Sequence, residues 1–260
     1  MAHEKSKEPA YDSWADYYDI ADRDRRPFIE FYRSLLTAQT RSLLDLGCGT
    51  GAITATLSDD LAARGEGSSG VRIVGVDESP EMLRIARTRE GHIEWMLGDI
   101  RSPPVEGTFD LVICCFNTLQ FLSEEGLSQT LRAVRRLIGT GGIFAFDIYQ
   151  PNVEYITRAQ TNRLARSVTD PQGRRLEVRE DTRYDPSSRV LAIDWRMQEE
   201  GKPHAPPLTS SRFHLRQIFA ADISRHLVEA NLTVLERYGD LDRSPLTKES
   251  KRQVLVCGPG

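Results

Sequence analysis

Two periods of apolar residues divide the first 150 positions. Short unbroken apolar runs at Ser42–Leu46, Val71–Val76, Ile93–Met96, Phe109–Phe116 and Ile143–Phe146 predict buried strands. Between them lie segments with apolar residues three and four apart, which predicts helices. Pro27–Gln39 carries Phe28, Phe31, Tyr32, Leu35 and Leu36, and Ile53–Ala63 carries Ile53, Leu57 and Leu61. Pro80–Arg87 and Leu127–Ile138 continue the alternation. Strand followed by helix, repeated, predicts a parallel sheet covered on both faces, and the run Leu111–Cys115 reads as one of its central strands. Gly139, Gly141 and Gly142 turn the chain into the fifth strand.

After about Asn152 the period changes to two. Arg175–Asp185 alternates, with Leu176, Val178 and Tyr184 on one face and Glu177, Arg179 and Asp181 on the other. Val190–Met197 and Arg212–Ile218 alternate likewise, and DPQG at 170–173 and DPSS at 185–188 read as hairpin turns. Residues 153–215 therefore predict a small antiparallel sheet. Ala220–Ala230 follows as a helix, then Leu232–Tyr238 and Arg252–Cys257 as two antiparallel strands joined by the polar Arg243–Lys251. At the other end, Tyr11–Asp19 places Tyr11, Trp14 and Tyr18 near one helical face with Tyr17 turned aside. That stripe either packs a short helix onto the domain or forms a lid with a tyrosine hydroxyl over the reacting group. Residues 1–10 are expected to fray, and GEGSSG at 65–70 reads as a surface loop.

The chemistry starts at Leu43–Thr54, LLDLGCGTGAIT. An apolar run ends at Asp45, and Gly47, Gly49 and Gly51 follow at alternate positions. A strand running through a tight turn into a helix fits this pattern, with glycine admitting a ligand close to the backbone. Asp77 closes the next strand. Its carboxylate can accept hydrogen bonds from both vicinal hydroxyls of a ribose, or it caps the following helix. The strand–helix–strand unit predicts a nucleoside-sized site at its carboxyl edge. GCGTG lacks the glycine spacing of a dinucleotide fingerprint.

DLGCGTG, VGVDESPEM, LGDIR and FDLVICCFNTLQFL, in this order, resemble the class I S-adenosylmethionine-dependent methyltransferases, closely over residues 40–150 and more loosely elsewhere. The resemblance implies an α/β, Rossmann-like seven-stranded methyltransferase fold with a small antiparallel β insertion, and S-adenosyl-L-methionine as cofactor. It divides the chain into an N-terminal cap and first core helix (1–39), a cofactor-binding core (40–152), an inserted substrate lobe (153–215) and a closing helix and hairpin (216–260). It makes Asp45, Gly47, Cys48, Gly49, Gly51, Asp77, Glu78, Met82, Asp99, Ile100, Cys115 and Phe116 the cofactor-binding set. Asp77 would hold the ribose, Asp99 would sit beside the adenine amino group and Ile100 against the ring. Met82 is an adenine contact or an ordinary core residue.

The lobe resembles that of small-molecule N-methyltransferases, some acting on amino sugars, and of natural-product enzymes that modify carbon. It implies an acceptor pocket formed with Trp14, Asn117, Gln120, Tyr149, Asn152, Arg212 and Arg216, with a homodimer interface as a further option. Tyr11, Tyr18, Asp147 and His214 are the catalytic candidates, orienting a lone pair or taking a proton. His214 between Arg212 and Arg216 is either that proton acceptor or a structural, solvent-facing histidine. Asn117 also suits a helix cap.

Composition narrows the acceptor. The formal net charge is -4, with Lys and Arg scattered among acids, so no nucleic-acid stripe is expected. The four cysteines, Cys48, Cys114, Cys115 and Cys257, lack metal-ligand spacing, and His92, His204 and His226 suggest no metal site. The polar N-terminus lacks a signal core and no stretch is long and apolar enough to span a bilayer, so a cytoplasmic protein without a membrane partner is expected. The reading is methyl transfer to a nitrogen, or an activated carbon, of a small molecule in secondary metabolism. RNA or protein methylation and a non-catalytic S-adenosylhomocysteine-binding scaffold are the alternatives.

Overall fold

A computed structural model describes residues 9–21, 24–63, 70–202 and 205–260. His204, most of the 65–70 loop and residues 1–8 lie outside them. Five parallel strands form the core: β1 (Ser42–Leu46), β2 (Arg72–Asp77), β3 (Ile93–Leu97), β4 (Phe109–Cys114) and β5 (Ile138–Tyr149). β10 (Leu232–Tyr238) and β11 (Arg252–Pro259) complete a seven-stranded sheet in the order β10-β11-β5-β4-β1-β2-β3, with β11 antiparallel to both neighbours. The order reverses between β1 and β4, where a doubly wound sheet opens a crevice at its carboxyl edge.

Alternate residues of each strand feed two cores. Leu44, Val74, Val112 and Phe146 pack on one face under α5 (Glu124–Leu137) and α7 (Ala220–Glu229). Leu43, Ile73, Ile113 and Val254 pack on the other under α2 (Arg26–Arg33) and α3 (Ala52–Ala62). Burial on both faces is why these strands read as unbroken apolar runs. α4 (Pro80–Ala86) starts at Ser79, whose Oγ accepts from Met82 N at 3.0 Å.

Some boundaries differ from the sequence expectation for local reasons. α2 stops at Arg33, where Ser34 Oγ donates to Phe31 O at 2.6 Å, and Leu35 and Leu36 are buried in the following turns. α5 begins at Glu124 because Ser123 Oγ caps Gly126 N at 3.0 Å. The Gly139–Gly142 stretch lies inside β5 as an irregularity: Phe109 pairs with Ile138, but Leu111 already pairs with Ile143.

The second sheet is antiparallel, in the order β6 (Gln160–Thr169), β7 (Arg175–Asp185), β8 (Val190–Glu199) and β9 (Thr209–Arg216). The two predicted hairpin turns join β6 to β7 and β7 to β8. β6 carries no clear alternation because it is an irregular edge strand with two register shifts. One face of this sheet is apolar, with Leu176, Val178, Met197, Phe213 and Leu215 buried.

Between the sheets lies the N-terminal segment, a 3-10 turn Asp12–Trp14 followed by α1 (Ala15–Ala21). Its apolar side sends Trp14 and Ala21 into the lobe, with the Trp14 ring 5.6 Å from Trp195. Its acidic side is tied to the core. Asp12 accepts from Ser79 Oγ, Asp16 from Arg84 at 2.5 Å, and Asp19 from Thr50 Oγ1 at 2.6 Å and Arg89 at 2.7 Å. Tyr17 packs against the lobe cluster as well. α6 (Val153–Ile156) leads from β5 into β6.

Candidate active site

The turn after β1 is stitched to the end of β2. Gly47 N and Cys48 N both donate to Val76 O, at 2.8 and 3.1 Å, and Gly49 N donates to Asp77 Oδ2 at 2.7 Å. Asp77 Oδ1 accepts from Ser79 N at 2.9 Å. Each carboxylate oxygen keeps one further accepting direction. Beside them opens a cleft of about 340 Å³ along the carboxyl ends of β1, β2 and β4 and the turn after β3, roofed by Tyr11 and Tyr18. Gly47, Cys48, Gly49, Asp77 and Glu78 line one part of it, and Met82, Asp99 and Ile100 another.

Asp45 sits at the inner end, 2 % exposed. Its Oδ2 accepts from Thr54 Oγ1 at 2.6 Å, and its Oδ1 is buried with no hydrogen-bond partner. Burial pushes this carboxyl up to about 7, the Thr54 bond opposes that, and the nearby Asp77 charge adds to it. Burial also raises Asp77, against the hydrogen bonds from Ser79 and Gly49. Asp99 is held below the usual carboxylate range by hydrogen bonds from Arg101, whose Nε reaches both oxygens at 2.9 and 2.7 Å. Burial pushes the Cys48 and Cys115 thiols well up, so these lining residues are neutral.

A smaller cavity of about 60 Å³ adjoins this cleft, and Tyr11, Tyr18 and Phe116 line both. Its other walls come from Trp14 and Ala21 of the N-terminal segment, Asn117 and Tyr149 of the core, Arg166 and Trp195 of the lobe, and Arg252 of β11. Phe116 and Asn117 have consecutive positive φ angles of 58° and 63°. Asp147 fixes them: its Oδ1 accepts from Phe116 N at 2.9 Å, and Phe116 stacks on Phe28 at 4.1 Å.

Several predicted residues are not brought to either cavity. Asp147 is fully buried, paired with Arg252 Nη1 at 2.9 Å and accepting from Tyr32 Oη at 3.0 Å, so it braces the wall instead of facing an acceptor. Gln120 is also fully buried, donating to Arg216 O at 3.0 Å and accepting from Tyr149 N at 2.8 Å. Asn152 caps α6 through Tyr155 N at 3.0 Å. His214, Arg212 and Arg216 do project together, but from the face of β9 turned away from the cleft. Phe213 and Leu215 take the inward face because their apolar surface is buried there. Arg212 is occupied by Asp194 at 2.5 Å, and Arg216 lies in a separate outer groove with His226. Gly51 serves packing: a Cβ there would stand 2.4 Å from the Trp95 ring, and its φ is 73°. Conversely, the wall residues Arg166, Trp195, Phe121 and Arg252 were not among the sequence candidates. Only the inward parity of Trp195 carried any signal.

The donor's parts can be tried against these groups. The Cβ direction at Gly49 is open, with nothing nearer than the Tyr18 ring at 4.0 Å, so the cleft reaches the backbone there. The unsatisfied Asp45 Oδ1 suits a cationic ammonium, the Asp77 carboxylate suits ribose hydroxyls, and Met82 and Ile100 give an apolar wall for a base. These residues fit a sulfonium nucleoside.

Sheet order, switch point and acid-lined crevice together describe a Rossmann-like fold whose crevice suits a nucleoside. Residues 43–142 match the model of a methyltransferase domain. Over 223 residues the chain is 31% identical to the cypemycin N-terminal methyltransferase of a Streptomyces species, covering 83% of this chain and 82% of that one. It therefore belongs to the class I S-adenosylmethionine-dependent methyltransferases, with S-adenosyl-L-methionine as its methyl donor. The CcbJ methyltransferase of Streptomyces caelestis shares the fold at a TM-score of 0.78 and 24% identity, over 98% of this chain and 99% of that one. S-adenosylmethionine-bound CalS10, an amino pentose methyltransferase of Micromonospora echinaspora, aligns at a TM-score of 0.66 and 20% identity, over all of both chains. Among the described residues no helix is long and apolar enough to cross a membrane.

Proposed function

We propose that this enzyme methylates a nitrogen of a small-molecule acceptor in natural-product biosynthesis, by in-line displacement. The observation that carries the reading is the junction of two compartments. A cleft suited to the donor meets a smaller cavity walled by the lobe, and both are covered by Tyr11 and Tyr18. A covered pocket of this size suits a small acceptor better than a folded nucleic acid. The names of the cypemycin and amino pentose enzymes, an N-terminal and an amino sugar methyltransferase, favour nitrogen over carbon.

When bound, the donor supplies an electrophilic methyl carbon whose bond to sulfur breaks as its bond to the acceptor nitrogen forms, the electron pair staying on sulfur. The chain's own contribution is positioning. Asp45 Oδ1 would hold the donor's ammonium, Asp77 and Glu78 its ribose, and Asp99, Met82 and Ile100 its base. Tyr11 and Tyr18, lying where the compartments meet, would orient the acceptor's lone pair and exclude water. Holding reacting atoms roughly 3–3.5 Å apart supplies a large share of the acceleration. No acid of the cleft is needed as a base in the attack itself, because an amine enters neutral and releases its proton after the new bond has formed.

The test is a screen of small amines, phenols and enols with isotopically labelled donor, followed by mass analysis of the methylated atom. Label on nitrogen supports the reading. Label only on carbon or oxygen, or only on RNA or protein, overturns it.

A further inference from the structure

The small cavity has an unusual balance of polar groups. Trp14 Nε1 is a buried donor with no hydrogen-bond partner, and Trp14 lines the cavity. Its neighbour Trp195, 5.6 Å away in the same aromatic cluster, is fully served: its Nε1 donates to Glu180 Oε2 at 3.0 Å. An unpaired buried donor is costly, so Trp14 is a position where an acceptor atom belongs. Two guanidinium groups line the same cavity. Arg166 lies 4.9 Å over the Trp195 ring and donates to Ala21 O. Arg252 lies 5.1 Å over the Tyr149 ring, with Asp147 balancing its charge from behind the wall. No carboxylate is among the described residues that line the cavity. The remaining polar groups there are the Tyr11, Tyr18 and Tyr149 hydroxyls and the Asn117 amide.

We propose that this cavity is an oxyanion subsite for the acceptor: it takes a carboxylate, with Trp14 Nε1–H as the specificity-determining donor and Arg166 and Arg252 supplying the favourable field. The proposal rests on the small-molecule reading above and narrows it to amino-acid-like amines, which carry a carboxylate near the nitrogen. At about 60 Å³ the cavity has room for a carboxylate and little more, which leaves the amine at the junction beneath Tyr11 and Tyr18.

Benzoate, benzamide and benzylamine serve as probes that share one ring and differ in the polar group. Each is titrated into the full chain, with and without saturating S-adenosylhomocysteine, and followed by the indole N–H resonances of the three tryptophans. Trp14→Phe assigns the Trp14 signal. Benzoate is expected to shift that signal and to bind about ten-fold more tightly than benzamide, with benzylamine weakest. Trp14→Phe and, separately, Arg166→Met should each cost benzoate roughly ten-fold while leaving S-adenosylhomocysteine affinity unchanged. Equal binding of the three probes, preference for benzylamine, or a Trp14 signal that stays still with bound benzoate overturns the proposal. Failure of the small-molecule reading would look different: benzoate would still bind at Trp14, but labelled methyl would go only to a macromolecule.

Discussion

Thr54 Oγ1 donates to one oxygen of Asp45 at 2.6 Å and leaves the other, Oδ1, buried without a partner. The free protein thus holds a buried acid with a single hydrogen bond, from one hydroxyl. Burial raises its folded-state value from 3.8 to about 7. Below 3.8 the carboxyl is neutral in both states and costs nothing. As the pH rises from there towards 7 the unfolded chain's carboxyl ionises while the buried one stays protonated, so stability is lost across that window, by up to about 4 kcal/mol. Donor-free protein should therefore melt lower at pH 8 than at pH 5.5, and Asp45→Asn should flatten the difference. Calorimetric melting across this range checks it. A wild-type profile matching that of the variant refutes the assignment.

The same carboxyl links protons to the donor. An ammonium paired with Asp45 Oδ1 favours the charged carboxylate, so binding near pH 6 should release close to one proton. Isothermal titration in buffers of different ionisation enthalpy measures this release. Asp45→Asn should remove most of it and weaken S-adenosylhomocysteine binding about 10- to 100-fold. Binding heat that does not depend on the buffer would place the ammonium elsewhere.

Asp77 is expected to serve both the ligand and the turn. It accepts from Gly49 N at 2.7 Å and Ser79 N at 2.9 Å while facing the cleft. Asp77→Ala should weaken donor binding at least ten-fold and lower stability by about 1–2 kcal/mol, without unfolding the domain. Calorimetry on the folded variant decides: unchanged affinity would leave Asp77 only as a cap.

His214 and Tyr18 make opposite predictions. His214 projects from the outward face of β9, so His214→Ala should leave kcat and KM within about two-fold of wild type. Tyr18 roofs both cavities, so Tyr18→Phe, and likewise Tyr11→Phe, should lower kcat about 10- to 100-fold with donor affinity little changed. Steady-state kinetics beside direct donor titration separates the two effects. Wild-type turnover in Tyr18→Phe and Tyr11→Phe would remove these hydroxyls from the reaction.

Sequence pattern revealed those parts of the site that are local. The turn at 47–51 and Asp77 follow from strand ends, glycine conformation and one acidic residue, all readable over a short window. Parity on β9 was also readable, but alternation says that two faces differ, not which one turns inward. Phe213 and Leu215 settle that here, because the apolar face is the one the lobe buries. Asp147 looked catalytic because a carboxylate at the end of an apolar strand usually meets a ligand. Its partner Arg252 lies 105 residues away, and no local pattern announces such a pair. The lid shows a similar division. Its aromatic stripe was legible, whereas the places taken by Trp14, against Trp195, and by Tyr11, against Phe213 at the edge of the cleft, arise from packing on residues far along the chain.

The Asp147–Arg252 pair carries the last prediction. Both side chains are almost wholly buried, and Asp147 also takes hydrogen bonds from Tyr32 and Phe116 N. Removing one partner leaves the other charge unpaired in the interior, which costs about 3–5 kcal/mol. Arg252→Met should therefore lower the melting temperature by many degrees, more than a change at any exposed lobe pair such as Arg212 with Asp194. The double variant Asp147→Asn with Arg252→Met should recover part of that loss, because neither charge then stays buried alone. It should recover turnover in step with stability, since the amide oxygen of Asp147→Asn still accepts from Phe116 N and holds the left-handed backbone of Phe116 and Asn117. Paired melting and kinetic measurements test both halves. If Arg252→Met alone melts like wild type, the pair is not what braces the wall between the two cavities.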